Sequence, residues 1–246
     1  AVHTLNLDVP TNCYCTPAYT TGKTAGDLIS LVNIAGTTLN NNSGFVATNP
    51  SYTFFQGQPN YTCNLNASST YTVNVATGEW GSQGFAAWID YNDDGIFTTS
   101  TNPLLNERIG STPTTIGSGF TSGVINASAS FTISLACNPP VGTHRMRVRC
   151  AYATNGVNID PCISYTWGEA EDYLVNVLPP VPFTPTFTAT PAATVCTQVP
   201  VTYTTQSGQG TYTWTIPGVA GTDYVLLSGG TGTSNSAVLR WVTGGS

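Results

Sequence analysis

Charge is what this chain most lacks. Only 7% of its 246 residues are Asp, Glu, Lys or Arg; Lys and Met occur once each and His twice. So few basic groups exclude a nucleic-acid or anionic-membrane surface, which needs clustered Lys and Arg. The net charge of −6 and pI near 4.5 point the same way. No apolar run approaches the roughly 18 residues that cross a bilayer. There is no Cys-x-x-Cys pair, and neither His3 nor His144 sits among other ligands, so zinc fails on spacing. Phosphate loops and nucleophile–base pairs are missing as well. The chain opens at Ala1 with no Met and no apolar leader, as expected of a processed or trimmed product.

What is present favours strands. Thr makes up about one residue in six, and with Val, Tyr and Phe it suits a pleated, half-buried surface. The 25 Gly and 16 Pro punctuate the chain at short intervals, as many short strands and turns require. Alternation predicts strands over 28–34, 51–55, 70–76, 85–90, 131–137, 145–150 and 174–177. Seven cysteines in a low-charge, Thr-rich chain suit an oxidising compartment. A catalytic thiol would need a His, a cation or a helix terminus beside it, and none is visible. Six of the seven precede residue 178, and six cysteines allow 15 disulfide connectivities.

The most informative stretch runs from Trp88 to Phe97. A strand breaks into Asp90-Tyr91-Asn92-Asp93-Asp94-Gly95-Ile96, which matches the first half of a D-x-[DN]-x-[DN]-G loop. Side-chain oxygens of Asp90, Asn92 and Asp94 and the carbonyl of Ile96 could converge on one hard cation, with Gly95 at the bend. Oxygen-only ligands select Ca2+ over zinc. The twelfth position of an EF-hand loop would be Glu, but Thr101 stands there and the next carboxylate is Glu107. The alternative is a solvated turn whose Asx side chains cap their own backbone.

Six of the twelve acidic residues fall in 90–94 or 169–172. Glu169, Glu171 and Asp172 could complete the calcium site, pair with arginines, or act as a glycosidase acid and base. Along the strand after Pro139-Pro140-Val141-Gly142, alternation puts Met146, Val148 and Cys150 inward and Arg145, Arg147 and Arg149 outward. That stripe could recognise an acidic ligand or pair with the chain's own carboxylates, the reading preferred here.

Together, Tyr14-Cys15, Asn42-Ser43-Gly44, Trp88 to Gly95, Glu107-Arg108-Ile109, Gly142 to Val148, Cys162 and Gly168-Glu169-Ala170-Glu171-Asp172-Tyr173 resemble the GEVED domain. The resemblance covers about residues 13–178. It implies a β-rich, non-catalytic module of large secreted or surface proteins, chiefly of Bacteroidota and often exported by the type IX system. It also implies a Cys15–Cys162 bridge. Cys13, Cys63, Cys137 and Cys150 are additions to the family pattern. Cys137 and Cys150, both on the inward phase of their strands, are expected to bridge across the Pro-Pro-Val-Gly hairpin. Cys13–Cys63 then follows by elimination, and Cys196 stays free.

The fold expected is therefore all-β. A jelly-roll-like β-sandwich over 1–178 is joined by a Pro-rich linker, 179–185, to a partial Ig- or PKD-like sandwich over 186–246. Strands at 199–203, 211–217, 224–227 and 237–242 would build the second unit, which further chain or another copy would complete. The function expected is a non-catalytic adhesive or stalk-like module at the cell surface, stiffened by Ca2+ and disulfides. Its partners would be further domains or neighbouring copies of the same protein. The alternative is a carbohydrate-binding accessory module of a secreted hydrolase, its platform being Trp80, Trp167 or Phe54 with Phe55. A sugar platform needs coplanar rings in solvent, whereas a stalk module buries its aromatics.

Overall fold

The computed structural model describes residues 14–102, 106–181, 184–189 and 194–243, the side chain of Ala189 excepted. The fold is all-β and divides into two compact units at Val181–Pro182.

In the first unit the strands are β1 (Tyr19–Gly22), β2 (Ile29–Ile34), β3 (Asn40–Asn41), β4 (Tyr52–Phe54), β5 (Thr62–Asn66) and β6 (Thr70–Thr77). They continue with β7 (Gln83–Asp90), β8 (Arg108–Ser111), β9 (Ser128–Ser134), β10 (Gly142–Tyr152) and β11 (Tyr165–Leu178). Two sheets face each other. One has the order β3-β2-β6-β9; the other runs β1-β11-β10-β7-β8, and β4 and β5 also pair with β11. Three short strands thus line up in parallel along one edge of the long β11.

Where only one face is buried, alternation reads cleanly. On β6, Val73 and Val75 enter the core while Thr72 is exposed. They meet Val32 and Ile34 of β2, Phe131 and Ile133 of β9, and Phe85, Ala87, Met146, Val148, Tyr173 and Val175 from the facing sheet. The larger sheet is also covered on its outer face. There Ala86, Trp88, Phe97, Ala151 and Ile159 form a second apolar cluster, with Tyr14 and Tyr165 packed against it. Every residue of β7 is consequently buried.

The second unit contains β12 (Phe187–Ala189), β13 (Pro200–Thr205), β14 (Tyr224–Gly229) and β15 (Ser236–Trp241), in one sheet of order β12-β13-β15-β14. The strand expected at 211–217 does not form; this segment is irregular, and Trp214 Nε1 donates to the Ser234 carbonyl at 2.9 Å. Only Ala237 and Leu239 of this unit are fully enclosed among the described residues.

The cysteines need correction. Cys15 and Cys162 are bridged, with Cα atoms 5.7 Å apart. Cys137 and Cys150 are free thiols, the first exposed and the second buried. No hairpin joins them: β9 belongs to the small sheet and β10 to the large one, so the Pro-Pro turn carries the chain between layers. Cys150 Sγ instead accepts the Glu169 N–H at 3.3 Å, and burial raises its thiol pKa. Cys63 is also a buried free thiol, pushed up to about 11 by burial; Cys13 lies outside the described residues. Cys196 is free and exposed.

Candidate functional site

Asp90 ends β7 with none of its surface exposed, and the chain turns there. Its Oδ2 accepts the Gly95 N–H at 2.9 Å. Asn92 Oδ1 accepts the Asp94 N–H at 3.1 Å, and Asp94 Oδ1 accepts the Ile96 N–H at 2.8 Å. These are the self-capping Asx contacts expected of such a turn. Asp93 and Gly95 take positive φ, 55° and 84°, which closes the bend. Glu107 comes in from the segment before β8 and binds two amides of the turn's flanks. Its Oε1 accepts from Tyr91 at 3.2 Å and its Oε2 from Thr98 at 2.7 Å. Burial, with the Asp90 and Asp94 charges adding to it, pushes the Glu107 carboxyl up to about 7, while the two amides pull it down.

Two buried atoms in this turn, Asp90 Oδ1 and the Tyr91 hydroxyl, are unsatisfied among the described residues. Asp90 Oδ1 makes no hydrogen bond of normal geometry there, although the Tyr14 hydroxyl lies near the Asp90 carboxylate; its pKa is raised first by burial and then by that carboxylate. An orphaned carboxylate oxygen is costly, and a cation would relieve it. Against that, no three His, Cys, Asp or Glu side chains among the described residues stand close enough to hold a metal by themselves. Any ion here would therefore depend on Asn92 and the Ile96 carbonyl as well as carboxylates. The Ile96 side chain is 60% exposed.

The 169–172 run does not complete the turn. Asp90 lies across β10 from Leu174, through Arg145. Glu169 is five residues further along β11, roughly 17 Å away at 3.4 Å per residue. Alternation then splits the run between two faces. Glu169 and Glu171 point into the sandwich, opposite Cys150 and Val148. Glu169 pairs with Lys23 Nζ at 2.5 Å and accepts the Ile29 N–H at 3.0 Å. Glu171 accepts the Tyr173 hydroxyl at 2.5 Å and the Asn41 side-chain amide at 3.5 Å. Burial raises the pKa of both carboxyls. With 3% and 0% exposure, neither is open to a substrate.

Asp172 points to the outer face and meets the arginine stripe. It accepts Arg147 Nε at 2.7 Å and Nη2 at 2.9 Å, a bidentate pair, plus the Tyr52 hydroxyl at 2.8 Å. The stripe itself is covered: Arg145 is 5% exposed, Arg147 and Arg149 not at all. Arg147 also donates to the carbonyls of Cys15 and Pro161, each at 3.0 Å. Arg149 donates to the carbonyls of Asp160 and Ile163 and to the Tyr19 hydroxyl. Arg145 lies 3.8 Å from the Phe54 ring centroid and 4.4 Å from that of Tyr14. An outward, ligand-reading stripe is thus overturned. The guanidinium forks hold the two segments that the disulfide joins, because five fixed donors can satisfy several carbonyls at once.

The aromatic candidates separate into two places. Phe54 has Arg145 over one ring face, and Phe55 stacks on buried Tyr173 at 5.7 Å, so each half-buried ring has one face taken up by the fold. Trp80 and Trp167 meet in one cleft with Tyr152, Ala25 and Asp27. The Tyr152 plane lies at 82° to Trp80 and at 81° to Trp167, so the three rings do not make one flat platform. Asp27 and Tyr152 were not legible as site residues. They come from separate stretches, and nothing in either sequence neighbourhood marks them.

Residues 84–176 match the family model of the GEVED domain. The match begins in β7 and ends in β11, so it takes in the acidic turn, Glu107, the arginine stripe and the Gly168–Asp172 run. No curated protein matches the chain.

Proposed function

We propose that this chain is a non-catalytic structural module of a secreted cell-surface protein, adhesive or stalk-like in use. One observation carries the reading. The carboxylates of the Gly168–Asp172 run are engaged inside the fold: Glu169 with Lys23, Glu171 with Tyr173, Asp172 with Arg147. None is left at a surface cleft to act as acid, base or nucleophile. The Cys15–Cys162 bridge adds support, since disulfides persist outside the reducing cytosol. The second unit is read as part of a PKD- or Ig-like repeat in the same surface protein. Export through a type IX system of a Bacteroidota cell belongs to this proposal and rests on the family likeness.

Calcium is the stiffening ion in this proposal. Asp90, Asn92, Asp94, the Ile96 carbonyl and Glu107 would hold it, and the buried, unpartnered Asp90 Oδ1 is the support for placing it there. An ion bound only by the folded chain must raise the melting temperature by mass action. Millimolar Ca2+ is expected to raise it relative to excess chelator, and Asp90→Asn to remove the difference. A melting temperature unmoved by either addition overturns the calcium site. Turnover of a polysaccharide or peptide by the purified chain, lost in Glu169→Gln, overturns the non-catalytic reading itself.

A further inference from the structure

The cleft between Trp80 and Trp167 has no place in that structural role. It lies at one end of the sandwich, where β10 finishes at Tyr152 and β11 begins. Trp80 comes from the turn before β7, and Ala25 and Asp27 from the turn before β2. Together these five residues enclose about 230 Å³. That is below the roughly 300–1,000 Å³ of pockets for drug-sized ligands, so the space suits a compact head group and not a sugar chain.

Its walls are aromatic, and the plane of Tyr152 is near-perpendicular to that of each tryptophan. Tyr152 neighbours both tryptophans, its ring centroid 6.4 Å from that of Trp80 and 5.5 Å from that of Trp167. Phe120 backs Trp80 at 5.3 Å. Trp167 is 37% exposed, so the cleft opens to solvent on that side. Asp27 is 3% exposed, yet its carboxylate has no cationic partner among the described residues. Its one side-chain hydrogen bond is from Gln83 Nε2, and Gln83 Oε1 is itself buried without a partner. The chain's single lysine is engaged with Glu169, so no internal ammonium is free to neutralise Asp27.

Aromatic faces carry negative quadrupole potential, and perpendicular rings present such faces to one point from several sides. A buried carboxylate beside them adds a full negative charge. We propose that this cleft is an aromatic cage for a quaternary ammonium group of the trimethylammonium type, with Trp80, Tyr152 and Trp167 as walls and Asp27 as counter-charge. A primary ammonium is the poorer occupant. It brings three N–H donors, and Asp27 is the one carboxylate among the lining residues. A methylated cation needs no acceptors and loses little on leaving water. Burial already pushes the Asp27 carboxyl up to about 6, as expected of a carboxylate still waiting for its counter-ion.

The probe is choline chloride titrated into the whole chain, with sodium chloride and ethanolamine hydrochloride as controls. Two readouts apply: tryptophan fluorescence, and the choline methyl resonance, which ring currents shift upfield inside a cage. Saturable changes in both are expected with choline, at about tenfold lower concentration than with ethanolamine. Trp167→Ala, a change at a partly exposed position, and Asp27→Asn are each expected to weaken choline about tenfold or more. An unshifted methyl resonance in the wild-type chain overturns the proposal without reference to any variant. So does equal affinity for ethanolamine, or choline binding undiminished in both variants.

Discussion

Arg147 shows how little of this chain's sparse charge is spare. Its guanidinium is fully buried, grips Asp172 through two nitrogens, and satisfies the carbonyls of Cys15 and Pro161. Removing one member of a buried pair leaves the other uncompensated, at a cost of about 3–5 kcal/mol. Arg147→Met is expected to lose that much in urea unfolding. Adding Asp172→Leu should recover part of it, though the two carbonyls stay unpaired. Asp27 gives a test in pH. Its carboxyl, ordinarily near 3.8, is raised to about 6 by burial, with the Gln83 amide opposing. Across that window the folded chain keeps a proton that the unfolded chain has released, so stability falls as pH rises from about 4 to 6. Other buried carboxyls slope the same way, so only a comparison isolates this one. Asp27→Asn is expected to gain on the wild type between thermal melts at pH 4 and pH 7; a constant difference would refute the assignment.

At the scale of the element, β11 organises the large sheet. It pairs with β10 along one side and with β1, β4 and β5 along the other. Gly168 lies near its start at φ +140°, and a Cβ there would fall 2.4 Å from the Cys150 carbonyl oxygen. Gly168→Ala is therefore expected to destabilise by at least about 1–3 kcal/mol, measured by chemical denaturation, through strain and collision together. Legibility from sequence also varied element by element. The strand character of β6 and β7 and the Asp90–Gly95 turn could be read directly, because period and spacing are local properties. The covering of β10 could not: alternation gives two faces but not what lies on each, so the pairing of its arginines with carboxylates was legible while their burial was not. The Cys137–Cys150 expectation failed for a related reason. A Pro-Pro turn between two strands marks a reversal, but not whether the strands share a sheet. The aromatic cleft was the least visible, since residues 27, 80, 152 and 167 meet only after the sandwich closes.

At the scale of the whole molecule, the two units are each described by their own sheets, and among the described residues no helix is long and apolar enough to cross a membrane. The Cys15–Cys162 bridge spans 147 positions, nearly all of the first unit. Its consequence is mechanical. If the chain is pulled from its two ends, tension reaching Cys15 passes through the sulfur atoms to Cys162 and on into β11. The enclosed loop carries none of the load. At about 3.4 Å per residue, roughly 500 Å of contour is withheld from extension while the bond is intact. Single-molecule stretching is expected to release that length from the first unit only after reduction, and the oxidised chain should lengthen by the short stretch beyond Cys162. A surface protein built from such units would keep its reach under shear, and a thiol reductant would act on it as a length switch.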